Sequence, residues 1–192
     1  MAALRQLRTF TPEEYLAIED GADYKSEYYQ GQIFAMAGGT VRHSQISSNI
    51  ITALSNALSD KPCRVFNSDL RLNVQQNGLY TYPDMMVICG KVELLSGRQD
   101  TVTNPVLIVE VLSESTRDYD MTFKFELYRS LPSLEHYLLV DSDKTFVRYF
   151  RRIGEGQWLM QELTSMDAEL DIVHLDMQLT LAQIYRAIGF EA

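Results

Sequence analysis

The chain has 192 residues, 46% of them hydrophobic, with 17 basic and 26 acidic side chains for a formal charge of -9. That much apolar material fills one core, so a single domain over residues 1–192 is expected. The charge excludes a generic polyanion binder driven by counterion release, and any nucleic-acid contact has to use a local patch.

Thr11-Pro12-Glu13-Glu14 is a capping box with proline at the first helical position, which predicts a short helix from about Pro12 to Glu19. Tyr24 to Met36 reads as a hairpin turning at Gln30-Gly31, and Gly38-Gly39 ends it. From about His43 to Ser59, Ile46, Ile50, Ala53, Leu54, Ala57 and Leu58 recur at helical spacing, giving a long amphipathic helix that stops before Pro62. Three strand-like segments follow: Arg64–Val74, Tyr80–Cys89 and Val106–Ser113. The last is a nearly continuous apolar run, as in a central strand covered on both faces.

Residues Thr116 to Ser130 read as a helix, and Leu134–Val140 and Phe146–Arg151 as strands joined at Asp141-Ser142-Asp143-Lys144. Trp158–Leu163 adds a strand, and Thr180–Ala187 a closing helix stopped by Gly189. The order predicts an α/β fold with a central mixed sheet flanked by helices. Cys63 and Cys89 stand singly in apolar surroundings without a secretory signal, which predicts free thiols and a cytoplasmic location. No apolar stretch approaches the length needed to span a bilayer.

Three ionisable residues lie in otherwise apolar elements: Asp84 in TYPDMMVIC, Glu110 in PVLIVEVLS, and Lys124 in the helix after it. A lone carboxylate in a hydrophobic strand costs several kcal/mol to desolvate, and a shared metal ion would offset that. Alternation puts Tyr82 with Asp84 and Ile108 with Glu110 and Leu112, so Asp84 and Glu110 can meet if their strands are neighbours. Pro83 lacks a ladder donor and favours a splay beside Asp84. Helical phase places Lys124 among Met121, Leu127, Tyr128 and Leu131, facing inward.

Two carboxylates and a lysine suit phosphodiester hydrolysis with Mg²⁺, or Mn²⁺ in its place. Without metal, one carboxylate should be raised in pKa unless Lys124 compensates it. A buried ion pair without catalysis accounts for the same residues equally well.

At these residues the chain resembles the PD-(D/E)XK nuclease superfamily and, within it, the Uma-type family of uncharacterised single-domain proteins classed as restriction endonucleases. The resembling pieces are TPEEYL, EYYQGQIFAMAGG, VRHSQISSNI, YPDMMVI, NPVLIVEVLSEST and DMTFKFELYRSLPSLEHYLLVD, in that order across nearly the whole chain. The resemblance implies a restriction-endonuclease-like fold, with Asp84 and Glu110 as metal ligands joined by the Val111 backbone carbonyl. The superfamily lysine would fall at Leu112, which implies that Lys124 reaches back as a migrated catalytic lysine.

The resemblance adds two residues that look like family positions near the site, Glu27 and His43. Glu27 in the hairpin could complete the carboxylate set, or be an exposed strand residue. His43 could contact a phosphate or orient Glu27, or be satisfied locally by a backbone group. Asp69 is a weaker ligand candidate, with Arg71 as a salt-bridge partner on the same face. Arg117, Arg129, Arg148, Arg151 and Arg152 are candidate phosphate contacts, and His136 and His174 show no partner pattern. The reading is a Mg²⁺-dependent endonuclease acting on nucleic acid, DNA before RNA. A homodimer is expected by analogy with two-fold nucleases. The alternative is a nuclease-fold binding or regulatory module without turnover.

Overall fold

The computed structural model describes residues 8–114 and 117–190. The expected helix start at Thr116 lies outside them. Helix α1 (Pro12–Glu19) begins as the capping box requires: Thr11 N–H donates to Glu14 Oε2 at 2.9 Å, and Glu14 N–H to Thr11 Oγ1 at 3.2 Å. Strands β1 (Ser26–Tyr29) and β2 (Gln32–Ala35) form the expected hairpin. Gln30 and Gly31 both take positive φ, 46° and 81°, as a type I′ turn demands. Helix α2 (Val41–Ala57) starts two residues earlier than His43, because the Thr40 side chain caps it by accepting from His43 N–H.

The run Arg64–Val74 is not one strand but two, β3 (Cys63–Asn67) and β4 (Arg71–Val74). Tyr80–Cys89 likewise divides into β5 (Leu79–Thr81) and β6 (Met85–Cys89), so Asp84 lies in the break and does not share a strand face with Tyr82. Then come β7 (Thr101–Val102) and β8 (Leu107–Leu112), followed by a π-helical segment (Tyr119–Lys124) that runs into α3 (Phe125–Tyr128). Strands β9 (His136–Asp141), β10 (Val147–Gly154) and β11 (Gln157–Leu163) form a meander. A small hairpin absent from the sequence reading, β12 (Glu169–Ile172) and β13 (Met177–Thr180), is joined by a 3₁₀ turn at Val173–Leu175. Helix α4 is shorter than expected, Leu181–Ile184; beyond it Ala187 takes a φ of 61°.

Among the described residues the strands form three sheets. The largest has the order β11-β10-β9-β8-β6-β3, with β8 and β9 parallel and the other pairs antiparallel. A second sheet, β2-β1-β5-β4-β7, packs against it, and β12-β13 is a separate two-stranded sheet. As its composition implies, β8 is central and every one of its residues is buried.

One face of the large sheet, with Met85, Val87, Val109 and Leu138, packs on Ile46, Ile50 and Leu54 of α2 and on β12, β13 and α4. Each of those three α2 side chains is fully buried, contributing roughly 1.5–3 kcal/mol. The other face, with Met86, Ile108, Tyr137 and Leu139, packs on Leu72 and Leu79 of the second sheet and on Leu127 and Tyr128 of α3. Tyr15 of α1 joins Tyr28 and Tyr80 in a separate aromatic cluster.

The cysteines are not free thiols. Cys63 and Cys89 sit directly opposite each other on antiparallel β3 and β6, and their sulfurs are bonded. No helix among the described residues is long and apolar enough to cross a membrane.

Candidate active site

The site forms where the chain leaves one sheet for the other. Because Pro83 has no N–H and β5 ends at Thr81, the chain enters β6 only at Met85, which pairs with Val109 of β8. One step back along that antiparallel register, Asp84 comes abreast of Glu110. There, side chains substitute for the ladder: Asp84 N–H donates to Glu110 Oε2 at 3.1 Å, and Val111 N–H donates to Asp84 Oδ2 at 2.8 Å. The splay expected from Pro83 is therefore present, and it joins the two carboxylates through backbone amides.

Lys124 faces inward, as its helical phase implied. Its Nζ lies 3.0 Å from Glu27 Oε1, 3.1 Å from Glu110 Oε1 and 3.2 Å from Asp120 Oδ1. Glu110 Oε1 accepts a hydrogen bond from the ammonium, and Glu27 and Asp120 pair with it as charges. Burial pulls the Lys124 amine down, but the charges on Glu110, Tyr128, Glu27 and Asp120 outweigh it and hold the group well above its ordinary range. It is an ammonium at neutral pH. Burial pushes the Glu110 carboxyl up to about 8; Lys124 opposes that, while Asp120 and Asp84 add to it. The expected raised carboxylate is thus Glu110, and Lys124 does not fully compensate it.

Glu27 is buried on β1, not an exposed strand residue. It accepts from Thr81 Oγ1 at 2.6 Å and pairs with the Lys124 ammonium, and the Tyr119 hydroxyl hydrogen-bonds it. His43 does not orient Glu27; its Nε2 is 3.1 Å from Asp84 Oδ2. That hydrogen bond raises the imidazole pKa against the opposing effect of burial. Gly39 permits this placement, because a Cβ there would lie 2.8 Å from His43 Nδ1. Asp84 and His43 keep about a fifth of their side-chain surface in solvent, whereas Glu27, Glu110, Asp120 and Lys124 are at most 6% exposed. Asp84 and His43 therefore form the rim and the lysine cluster the floor.

Two floor residues escaped the sequence reading. Asp120 is one, and Tyr128, whose hydroxyl donates to Glu110 Oε1 at 2.8 Å, is the other. Both lie four residues from Lys124, so helical neighbourhood was the available signal. Asp69 is no part of the site: it pairs with Lys25 at 2.7 Å, and its expected partner Arg71 instead binds Tyr82 OH and Asp100.

Most of the candidate arginines are engaged within the chain. Arg117 pairs with buried Asp141, Arg129 with Glu126, and Arg148 with Glu162; Arg152 donates to the carbonyls of Leu134, Arg129 and Leu131.

The architecture matches a crystal structure described as "a putative nuclease belonging to DUF820" from Anabaena variabilis ATCC 29413. The TM-score is 0.75 at 18% identity, covering 92% of this chain and 97% of that one. The expected restriction-endonuclease-like α/β fold is therefore the one found. Two proteins of Synechocystis sp. (strain ATCC 27184 / PCC 6803 / Kazusa), sll1609 and slr1290, both carrying the description "Uncharacterized protein", are each 37% identical to this chain. The first match covers 89% of this chain and 97% of its relative, the second 94% and 93%. Residues 12–182, which hold every residue of the rim and floor, match the Uma2 family, described as "Putative restriction endonuclease". The chain belongs to the Uma2 family.

Proposed function

We propose that this protein is a Mg²⁺-dependent endonuclease that hydrolyses phosphodiester bonds of nucleic acid, DNA in the first place, with Mn²⁺ able to replace Mg²⁺. One observation carries the reading. Three carboxylates, from Glu27, Glu110 and Asp120, surround the Lys124 ammonium where two sheets part, and a fourth, Asp84, stands beside Glu110 at the solvent edge. The donor set is hard, all-oxygen and short of positive charge, which suits Mg²⁺ better than a softer ion.

Asp84 and Glu110 would hold the ion, with the Val111 carbonyl as the third protein ligand. Bound there, Mg²⁺ supplies charge to a phosphoryl oxygen and lowers the pKa of a coordinated water. His43 fixes the orientation of Asp84 through Nε2 and brings a partly solvated imidazole to the rim, within reach of a phosphate. Lys124, held charged by its neighbours, cannot serve as a base at neutral pH; it would donate an N–H hydrogen bond to the attacking water or the phosphate, its charge steadying the transition state. Glu27, braced by Thr81, keeps the amine aimed at Glu110 meanwhile. A cytoplasmic location would go with a nucleic-acid substrate, but the free-thiol argument for it falls, because Cys63 and Cys89 are bonded.

The closure of the floor favours a second reading, a nuclease fold retained as a binding module, since Lys124 is buried against three carboxylates and Glu110 is almost wholly buried. Cleavage of plasmid, single-stranded DNA and RNA with Mg²⁺ or Mn²⁺ separates the two. Asp84→Asn and Glu110→Gln should abolish metal-dependent cleavage in folded protein, and Lys124→Ala should slow it by about 100-fold or more. Wild-type protein that binds metal yet cuts none of the substrates supports the module. Cleavage surviving in Glu110→Gln would mean that the chemistry lies elsewhere.

A further inference from the structure

We propose that Glu135, His136 and His174 form a second metal site, for a borderline transition-metal ion of the Zn²⁺ type, on the sheet face opposite the nuclease site. The two histidines show no pattern in the sequence, and folding brings them together. His136 opens β9, where alternation places it with Leu138 and Val140, on the face away from Tyr137, Leu139 and the lysine floor. His174 sits in the 3₁₀ turn between β12 and β13, which covers that face. One ligand atom from each of the three side chains lies within 4.8 Å of the other two.

The decisive group is His136 Nε2. The residue is fully buried, and this nitrogen has no hydrogen-bond partner. The other ring nitrogen, Nδ1, is 2.7 Å from the Tyr149 hydroxyl. A proton on Nε2 would leave a buried donor unsatisfied, at a cost of about 1–3 kcal/mol. With the proton on Nδ1, donated to Tyr149, the Nε2 lone pair faces Glu135 and His174, and a cation there would satisfy it. A ligating histidine has this form, its far N–H held by a second group that fixes the ring. Burial, with His174 and Arg151, pushes this imidazole down to about 4, so the ring is neutral at pH 7 and ready to coordinate.

Glu135 Oε2 is 3.8 Å from His136 Nε2 and 2.5 Å from His174 Nδ1. Tetrahedral Zn²⁺ with bonds of about 2.0–2.2 Å spaces its ligands by roughly 3.4 Å, between those two values. His174 has half its side chain in solvent and lies on a short turn, so a shift of about an ångström by that residue completes the geometry. Two imidazoles and one carboxylate select a borderline cation over Mg²⁺. A cavity of about 370 Å³, bordered by Glu135, His174, Ile153 and Gly154, gives the ion an entry path and room for water as fourth ligand. Arg151 and Arg152 also border it. Arg152 is held by carbonyl oxygens, and Arg151 is a positive charge that opposes the ion.

Chelator-stripped full-length protein is titrated with Zn²⁺ against a chromophoric chelator, alone and with millimolar Mg²⁺, and its melting is followed in parallel. Glu135→Gln and His174→Ala alter partly exposed side chains, and their metal-free melts serve as the folding control. One Zn²⁺ should bind and raise the melting temperature, and Mg²⁺ should not displace it. Both variants should weaken binding by well over 100-fold, beyond the roughly 10–100-fold range of outer-shell changes. Arg151→Gln should tighten it, and Asp84→Asn should leave it unchanged. The proposal fails if stoichiometric Zn²⁺ binding is absent, if it persists in His174→Ala, or if it disappears in Asp84→Asn, which would put the ion at the nuclease site.

Discussion

Lys124 is the residue on which the site depends most. Its ammonium and three carboxylates are buried together, and a buried charge is tolerable only when it is paired and hydrogen-bonded. Removing one partner of such a group costs about 3–5 kcal/mol, because the remaining charges stay behind uncompensated. Lys124→Ala should therefore destabilise the metal-free protein by that order, with a definite pH dependence. Carboxylates left without the ammonium have folded pKa values above their unfolded ones. Their contribution to stability is present at low pH and lost as pH rises through the folded values. Urea unfolding at pH 5 and pH 8 should thus show a larger deficit at pH 8. A deficit equal at both values would mean that Lys124 does not balance these carboxylates.

At the scale of elements, Arg98 clamps the end of α1 to the loop before β7. It binds Asp20, the C-cap of α1, at 2.6 and 2.8 Å, and Asp100 at 2.6 and 2.9 Å. The hydrogen bonds from Arg98 hold the Asp100 carboxyl down at about 2, against the effect of burial. A depressed carboxylate stabilises the fold above its unfolded pKa, here the ordinary 3.8, and that contribution is lost as pH falls through about 2. Melting temperature against pH should fall more steeply between pH 4 and 2 in wild type than in Asp100→Asn. Added salt should shrink the difference, since the pair is partly exposed. Parallel curves would show that the clamp contributes nothing.

Which elements were legible in the sequence follows from the range of the interactions that make them. The capping box of α1, the Gln30-Gly31 turn and the apolar run of β8 are local signals, and all three appear where the residues put them. The partition of Arg64–Val74 and Tyr80–Cys89 between two sheets depends on pairing with distant strands, which alternation alone does not encode. The same holds for the Cys63–Cys89 bond, set by the register of β3 on β6. Strands β12 and β13 did carry a local signal, with Leu170, Ile172, Met177 and Leu179 buried between exposed neighbours, and it was not read as strand.

For the molecule as a whole, the candidate site was legible in its parts and not in its wiring. Asp84, Glu110 and Lys124 stand out because charge in an apolar element needs an explanation. Glu27 and His43 entered by resemblance, and folding pairs His43 with Asp84 and Glu27 with Lys124. Asp120 and Tyr128 look like ordinary helical residues until the π-helical segment that holds Asp120 and the α3 turn that holds Tyr128 aim both at the same floor. The formal charge is -9 overall, and most of the candidate arginines are already engaged within the chain. The account therefore rests on a divalent ion to bring phosphate to the carboxylates. Its most direct test is anomalous diffraction from crystals soaked in Mn²⁺. The account predicts a peak between Asp84 and Glu110 in wild type that vanishes in Glu110→Gln. A well-occupied crystal with no peak there, or with manganese only at Glu135 and His174, would contradict it.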